Sequence, residues 1–148
     1  MKIAFFNWRD IAYRDSNPNG AVVSIRNPGT VPPDFDAGWR AIHAEAFHDI
    51  DSRYGDFKLM GLAQALRIVR FIEQQARGGI DELAIHCHDG VSRSGAVAEV
   101  ASERFRVPLL LPTDGANAFV RRRMRHAYAI YFLARLRWFT ASRLLLKT

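Results

Sequence analysis

The residues best suited to chemistry lie in one short segment, which runs from His86 to Gly95 and reads HCHDGVSRSG. Cys87, the single cysteine of the chain, supplies a thiol, and Arg93 supplies a guanidinium six residues later. A thiolate is a strong nucleophile, and a guanidinium can hold two oxygens of a tetrahedral oxyanion. Backbone N–H groups between them can close around the same anion. This order and spacing predict a phosphate-binding loop that begins with a nucleophile.

The other positions of the segment fit this interpretation. Gly90 allows the backbone to turn tightly and approach a ligand. Ser94 is placed to hydrogen-bond the cysteine sulfur, which would help sulfur to leave a phosphocysteine. Asp89 is an acid in an anion site, so we expect its side chain to point away from the phosphate. Phosphate-type or sulfate-type anions are expected to bind at six consecutive residues, namely His88, Asp89, Gly90, Val91, Ser92 and Arg93.

Two histidines of the segment each have two interpretations. His86 either tunes the thiolate or holds the loop through hydrogen bonds. His88 either contacts substrate or is simply an exposed loop residue. The chemistry is predicted to need no metal and no cofactor, because Arg93 and the backbone amides can carry the charge. The five histidines and the single cysteine of the chain also show no cluster with the spacing of a zinc site.

A strand is predicted before this segment and a helix after it. Residues 83–85 read as a short buried strand that ends at Cys87, and residues 95–105 are rich in helix-forming residues. The Ser94 end of the loop then becomes a helix N-terminus, whose free N–H groups and dipole attract negative charge. The elements therefore place the segment where an anion site is expected.

Upstream, turn signals on both sides make residues 21–25 a strand, and residues 3–6 are predicted to be a buried first strand. Residues 41–47 have a composition that suits a strand or a helix, and residues 48–56 read as an exposed acidic loop. Helical spacing of five apolar residues predicts a helix of about five turns that stops at Gly78-Gly79. These residues are Leu59, Leu62, Leu66, Val69 and Ile72.

The alternation of strands and helices predicts an α/β fold. We expect one domain over residues 1–148, a sandwich with a central mixed sheet flanked by helices. The C-terminal region, about residues 117–148, is predicted to be helical in one or two segments. It carries a basic cluster of four arginines, Arg121, Arg122, Arg123 and Arg125. It also carries one apolar stripe, which we interpret as a packing face and which consists of Ala129, Phe132, Leu133, Leu136 and Phe139.

Composition narrows the function classes further. One cysteine allows no internal disulfide, which fits a reducing compartment. The first apolar run is too short for a signal peptide, and no stretch reaches the length of a membrane span, so a cytoplasmic location without membrane span is expected. The net charge of +6 favours anionic partners. The expected oligomeric state is a monomer or a weak dimer.

The segment resembles the C-x5-R signature of the cysteine-dependent protein tyrosine phosphatases. The pattern H-C-x-x-G-x-x-R-S is most similar to the small dual-specificity branch and its bacterial and viral relatives. Residues from about 21 to 124 can be placed on that plan. The resemblance implies a phosphatase-like fold and hydrolysis through a phosphocysteine, in which Cys87 is the nucleophile and Arg93 and Ser94 assist. Asn117 matches a position where these phosphatases often carry asparagine, although a helix N-cap explains it equally well.

The resemblance also implies an aspartic acid on a loop upstream of the long helix. This residue protonates the leaving oxygen and then activates water. Asp49 is favoured because it follows Phe47-His48 at the end of the expected strand. Asp51 is the alternative acid, and Asp56 is a weaker one.

Three functions remain open on the sequence. The first is a phosphatase acting on phosphotyrosine of proteins, with or without phosphoserine and phosphothreonine. The second is an RNA 5′-phosphatase, since relatives of this plan include such enzymes and the chain is basic; nucleic acid is a possible partner but is not favoured. The third is a catalytically weak module that only binds phosphorylated partners. The intact Cys87, Arg93 and Ser94 argue against the third.

Overall fold

The computed structural model describes the backbone of residues 1–35 and 37–145 and the side chains of residues 1–35 and 37–137. Strands and helices alternate along most of the chain, as the sequence predicts. The elements are β1 (Lys2–Phe6), α1 (Trp8–Ala12), β2 (Gly20–Arg26), β3 (Ala41–Ala46), α2 (Leu62–Arg77), β4 (Glu82–His86), α3 (Arg93–Phe105) and α4 (Ala118–Leu145).

The four strands form one sheet in the order β1-β4-β2-β3. In place of the expected mixed sheet, all three pairings between the described strands are parallel. Each strand is followed by a helix or a long crossover and not by a hairpin turn, so neighbouring strands run in the same direction. The carboxyl ends of all four strands therefore meet at one edge of the sheet, which is where ligands bind in parallel α/β sheets.

Both faces of the sheet are covered. Because side chains alternate along a strand, Val23 and Ile25 of β2 face the main core while Val22 faces the other side. The main core lies between the sheet and helices α2, α3 and α4. A smaller core contains Ile11 of α1 and Trp39. The prediction of an α/β sandwich is confirmed.

The helix next to the expected phosphate loop begins earlier than predicted. Helix α3 starts at Arg93 and not at Gly95, so the arginine of the signature lies in its first turn. Helix α2 begins after Gly61, whose N–H donates to Oε1 of Gln64, and it ends at Gly78 as predicted. The short helix α1, capped by the side chain of Asn7, was not predicted.

The C-terminal region is one long helix, which the structure describes as far as Leu145. Its buried face is built from Val120, Met124, Ala127 and Tyr128. The predicted stripe is wrong as a packing face, because Leu133 and Leu136 are more than half exposed and Ala129 is also exposed. Only Phe132 of the stripe packs on the core, and the side chain of Phe139 lies outside the described residues.

Three ion pairs tie the basic cluster to α3. Arg121 pairs with Glu99 at 2.9 Å, and Arg125 pairs with both Glu99 and Glu103. Among the described residues, none of the helices combines the length and the apolar content needed to cross a bilayer.

Candidate active site

The predicted site residues converge at the carboxyl edge of the sheet. Cys87 directly follows β4, Asn27 follows β2, and Phe47 follows β3. The Asn7 position that ends β1 lies against the loop formed by residues 87–92, which we call the phosphate loop. Four separate strand ends therefore surround this loop, so its surroundings are set by the sheet itself.

Cys87 is buried at the start of the phosphate loop. Its backbone N–H donates to the carbonyl of Phe6 at 3.3 Å, which continues the pairing of β4 with β1 by one residue. The sulfur lies 3.1 Å from Oγ of Ser94, in the first turn of α3. The hydrogen bond to sulfur predicted from the sequence is therefore present, and it can stabilise a negative charge on the thiolate.

Gly90 brings the phosphate loop close to the end of β1. Its φ is +70°, a conformation that glycine adopts without strain. A Cβ atom at this position would overlap the backbone of Phe6 and Asn7. Two residues earlier in the loop, the carbonyl of His88 accepts a hydrogen bond from the N–H of Trp8 at 3.2 Å. The loop is therefore fixed to its neighbour by backbone contacts, and only glycine fits at its tightest point.

The phosphate loop presents several free donors. Within the described part of the chain, the backbone N–H groups of residues 88–92 donate to no backbone carbonyl. Ser92, the N-cap of α3, makes no side-chain bond to the helix end. Unpaired N–H groups at a helix N-terminus are a site for phosphate-like anions.

The guanidinium of Arg93 lies inside the protein. The residue is only 1% exposed. Its Nη1 donates to the carbonyl of Phe47 at 2.7 Å and to Oδ1 of Asn27 at 2.8 Å, both uncharged acceptors. Its Nε is buried without a hydrogen-bond partner among the described residues. A buried cation is costly unless an anion accompanies it, so this geometry favours a bound oxyanion.

Asp49 lies at the same place. Its Oδ2 is 3.9 Å from Nε of Arg93, which is too far for a hydrogen bond. Its Oδ1 accepts hydrogen bonds from Oγ of Ser92 at 2.7 Å and from Nδ2 of Asn117 at 2.8 Å. The side chain is 28% exposed, so it faces both the loop and solvent. A carboxyl in this position can exchange a proton with a group bound at the loop.

The rival carboxylates are placed differently. Asp51 is exposed and accepts from its neighbour Ser52 at 3.1 Å, and Asp56 is exposed farther along the same loop. The N-cap interpretation of Asn117 is confirmed, and its amide makes a second contact. Its Oδ1 accepts from the N–H of Val120 and so caps α4, while its Nδ2 holds Asp49.

No family model matches this chain, and no curated protein matches it. A solved structure that matches part of the chain is the crystal structure of human tyrosine phosphatase-like serine/threonine/tyrosine-interacting protein. That structure shares 18% sequence identity over 76% of this chain and 78% of that chain, with a TM-score of 0.46. At this distance, function has to be argued from the site itself.

His86 is the last residue of β4 and directly precedes the phosphate loop. Its Nε2 lies 2.8 Å from Oγ of Ser24 on the neighbouring strand β2. Burial lowers the pKa of His86 to about 4, and the charge of Arg93 acts in the same direction. The imidazole is therefore neutral at pH 7. This contact agrees with the interpretation that His86 holds the loop.

His88, Asp89 and Val91 lie on the outer side of the loop. The ring of His88 stacks on Trp8 of α1 at 6.4 Å between centroids. Asp89 is exposed, as expected for an acid that points away from the anion. Val91 is also about half exposed. Their positions leave the backbone of the loop, and not these side chains, to face an anion.

Asn27, Ser24 and Trp8 are site residues that the sequence did not indicate. Asn27 begins the turn Asn27-Pro28-Gly29, one of the turn signals that bound the strand predicted over residues 21–25. Its position offered a signal, because polar residues that follow parallel strands face the ligand edge. The bond between Ser24 and His86 links residues far apart in the chain and left no local pattern.

Proposed function

We propose that this protein is a phosphomonoester hydrolase that removes phosphate from phosphotyrosine of proteins through a phosphocysteine intermediate, with phosphoserine and phosphothreonine as further substrates of the same chemistry. The observation that carries the proposal is Arg93. A buried guanidinium whose Nε makes no hydrogen bond among the described residues, beside a cysteine and a loop of N–H groups that donate to no backbone carbonyl, is complementary to a phosphate dianion.

The reaction has two balanced steps. The thiolate of Cys87 attacks phosphorus, a P–S bond forms, and the bond to the ester oxygen breaks as Asp49 donates a proton to that oxygen. Water then attacks the phosphocysteine while the Asp49 carboxylate accepts its proton. The P–S bond breaks, and the returning thiolate is stabilised by Ser94 at 3.1 Å. Arg93 and the loop N–H groups hold the phosphate oxygens in both steps.

An apolar cleft beside the phosphate loop supports an aromatic leaving group. It has a volume of about 640 Å³ and reaches His88 and Asn27. Its walls include the ring of Trp8 and the prolines 32 and 33. Apolar and aromatic walls stabilise a phenyl ring by burial and stacking more than a short hydroxyalkyl side chain. The cleft therefore favours phosphotyrosine over phosphoserine.

The alternatives receive less support. An RNA 5′-phosphatase would use basic groups on the surface, but two arginines of the basic cluster, Arg121 and Arg125, are paired with glutamates of α3, and only Arg122 and Arg123 of the cluster have no ion pair among the described residues. A module that only binds phosphate would have no use for the contact between Cys87 and Ser94, or for a carboxyl beside the bound anion. Neither alternative accounts for the whole site.

The first test is turnover of 4-nitrophenyl phosphate by the wild-type chain and by Cys87→Ser. We expect no turnover by the variant and retained binding of inorganic phosphate, because the loop donors and Arg93 remain. Acid-quenched wild-type protein should carry one phosphate on Cys87 in intact mass analysis. A serine variant that keeps full activity would refute the nucleophile, and binding without any wild-type turnover would favour the binding module.

Arg93→Lys tests the anion contact, and Arg104→Lys is its matched control. Arg104 bonds Glu73 at 2.7 Å on the helical side of the molecule, and its bonds to the described residues do not include the loop. We expect only Arg93→Lys to lose phosphate affinity, because lysine cannot make a planar two-point contact. Competition between a phosphotyrosine peptide and a 5′-triphosphorylated RNA then separates the two substrate classes.

A further inference from the structure

The loop that carries Asp49 is closed at its base. We call residues 48–58 the acid loop. The N–H of His48 donates to the carbonyl of Lys58 at 2.8 Å, and the N–H of Lys58 donates to Nδ1 of the His48 ring at 2.8 Å. In an ordinary strand pair the second acceptor would be a backbone carbonyl. Here an imidazole replaces it, so the closure depends on one side chain.

The remainder of the loop holds this ring in position. Residues 54–57 form a turn in which the N–H of Phe57 donates to the carbonyl of Tyr54 at 3.1 Å. The turn places the ring of Phe57 edge-on against His48, with 4.6 Å between centroids. On either side of the acid loop the chain is anchored in the core by Phe47 and Met60, which are both fully buried. The ring is thus the junction between an anchored base and an exposed loop.

We propose that His48 is a positioning residue, whose neutral imidazole closes the base of the acid loop and so holds the neighbouring Asp49 at the phosphate loop. The role of Asp49 rests on the function proposed above, but the closure itself does not. An N–H can only donate, so Nδ1 must carry no proton and Nε2 must carry it. Protonation of Nδ1 would set two donors against each other and open the base.

Two neighbouring elements hold the inner end of the acid loop. Arg93 of α3 donates to the carbonyl of Phe47, the residue before His48. Asn117, directly before α4, donates to Asp49 and to the carbonyl of Ile50. These contacts fix the inner end of the loop, and the His48 ring closes its base.

Hydrogen exchange at the Lys58 amide tests the closure without reference to catalysis. In the wild-type chain, this amide should be protected. His48→Ala should lower its protection factor roughly tenfold, through the loss of one net hydrogen bond. His48→Asn places an amide oxygen near the position of Nδ1 and should restore the protection. Trypsin cleavage after Arg53 should follow the same order.

His43→Ala is the matched control. His43 is also a partly buried histidine of this region, and its ring stacks on Phe71 and bonds Glu45, away from the base of the loop. We expect it to leave Lys58 protection unchanged. Equal protection in His48→Ala and wild type would overturn the proposal, whatever the enzyme activity.

A kinetic measurement connects the closure to Asp49. The phenolate that leaves from phenyl phosphate is more basic than 4-nitrophenolate, so its departure depends more on a proton from the acid. His48→Ala should therefore lose more kcat on phenyl phosphate than on 4-nitrophenyl phosphate, and His48→Asn should recover it. Equal losses on both substrates would mean that His48 does not act through the acid. If the variants change Lys58 protection as expected but the wild-type chain shows no turnover, the closure by His48 stands and the proposed function is refuted.

Discussion

The phosphate loop and the acid loop face each other across the candidate site, yet they are held in different ways. The phosphate loop, residues 87–92, joins a buried strand to a buried helix turn and packs its backbone on the end of β1. The acid loop, residues 48–58, is exposed over most of its length. It is held at its base by His48 and at Asp49 by two side-chain donors.

This difference separates two tasks. A group that must bind a doubly charged anion gains from donors fixed beforehand, because no reorganisation is then needed during reaction. A group that must deliver a proton and later accept one from water has to admit both substrate and solvent. The fold places the first on the sheet and the second on a loop with few contacts. Stability should therefore be concentrated in the phosphate loop.

The largest expected difference comes from adding one methyl group to each loop. Gly90→Ala combines strain at φ +70° with an overlap of the backbone of Phe6 and Asn7, so we expect a loss of more than about 3 kcal/mol of unfolding free energy. Gly55→Ala in the acid loop has φ +48° but nothing within 4 Å, so only about 1–2 kcal/mol should be lost. Urea denaturation measures both, and equal losses would contradict the contrast.

The second prediction concerns catalysis by the acid loop. Asp49→Asn should lower kcat about 100-fold or more on phenyl phosphate and remove the basic limb of the pH–rate profile, because the amide cannot donate the proton. Asp51→Asn is the matched control, since that carboxyl contacts only Ser52 among the described residues. If Asp51→Asn instead removes the basic limb, Asp51 is the acid. When either substitution is added to the Cys87→Ser variant, the affinity of that variant for inorganic phosphate should change little.

The sequence predicted the phosphate loop better than its partners, for a physical reason. Its nucleophile, glycine and arginine are neighbours in the chain, and turn signals and helical spacing fix the strand and helix beside them. The contacts of Asp49 with Ser92 and Asn117 join residues 43 and 68 positions apart, and no local pattern encodes such pairs. The direction of the strands likewise depends on crossovers that leave no periodic signal.

A third prediction tests the burial beneath the phosphate loop. The pKa of His86 is about 4 in the folded chain, below the ordinary value of 6.5, so the unfolded chain binds the proton first as pH falls. Stability is therefore fully present above about pH 6.5 and is lost as pH falls towards 4. Between pH 7 and pH 5 the loss should be about 2 kcal/mol.

His86→Gln isolates this contribution. Glutamine can place a polar group near the position of Nε2, within reach of Ser24, but it does not titrate. The unfolding free energy of the variant should fall less between pH 7 and pH 5 than that of wild type, by about the same 2 kcal/mol. Identical pH dependence in the two proteins would show that His86 is not held neutral by burial.

The smallest predicted effect lies at Asn117, the residue that joins the acid loop to the helices. Its cap of α4 can be separated from the contacts of its amide with Asp49 and Ile50, because serine caps a helix as well as asparagine but has no amide to reach them. Asn117→Ser should therefore keep its unfolding free energy, while Asn117→Ala loses about 1 kcal/mol. Both should lower kcat by roughly tenfold through the lost contact with Asp49. If kcat instead follows stability, so that only the alanine variant is slow, Asn117 acts on the fold of α4 and not on the acid. In that case another residue must hold Asp49 in place. Ser92, whose Oγ lies 2.7 Å from the same carboxylate oxygen, is the residue in position to do so.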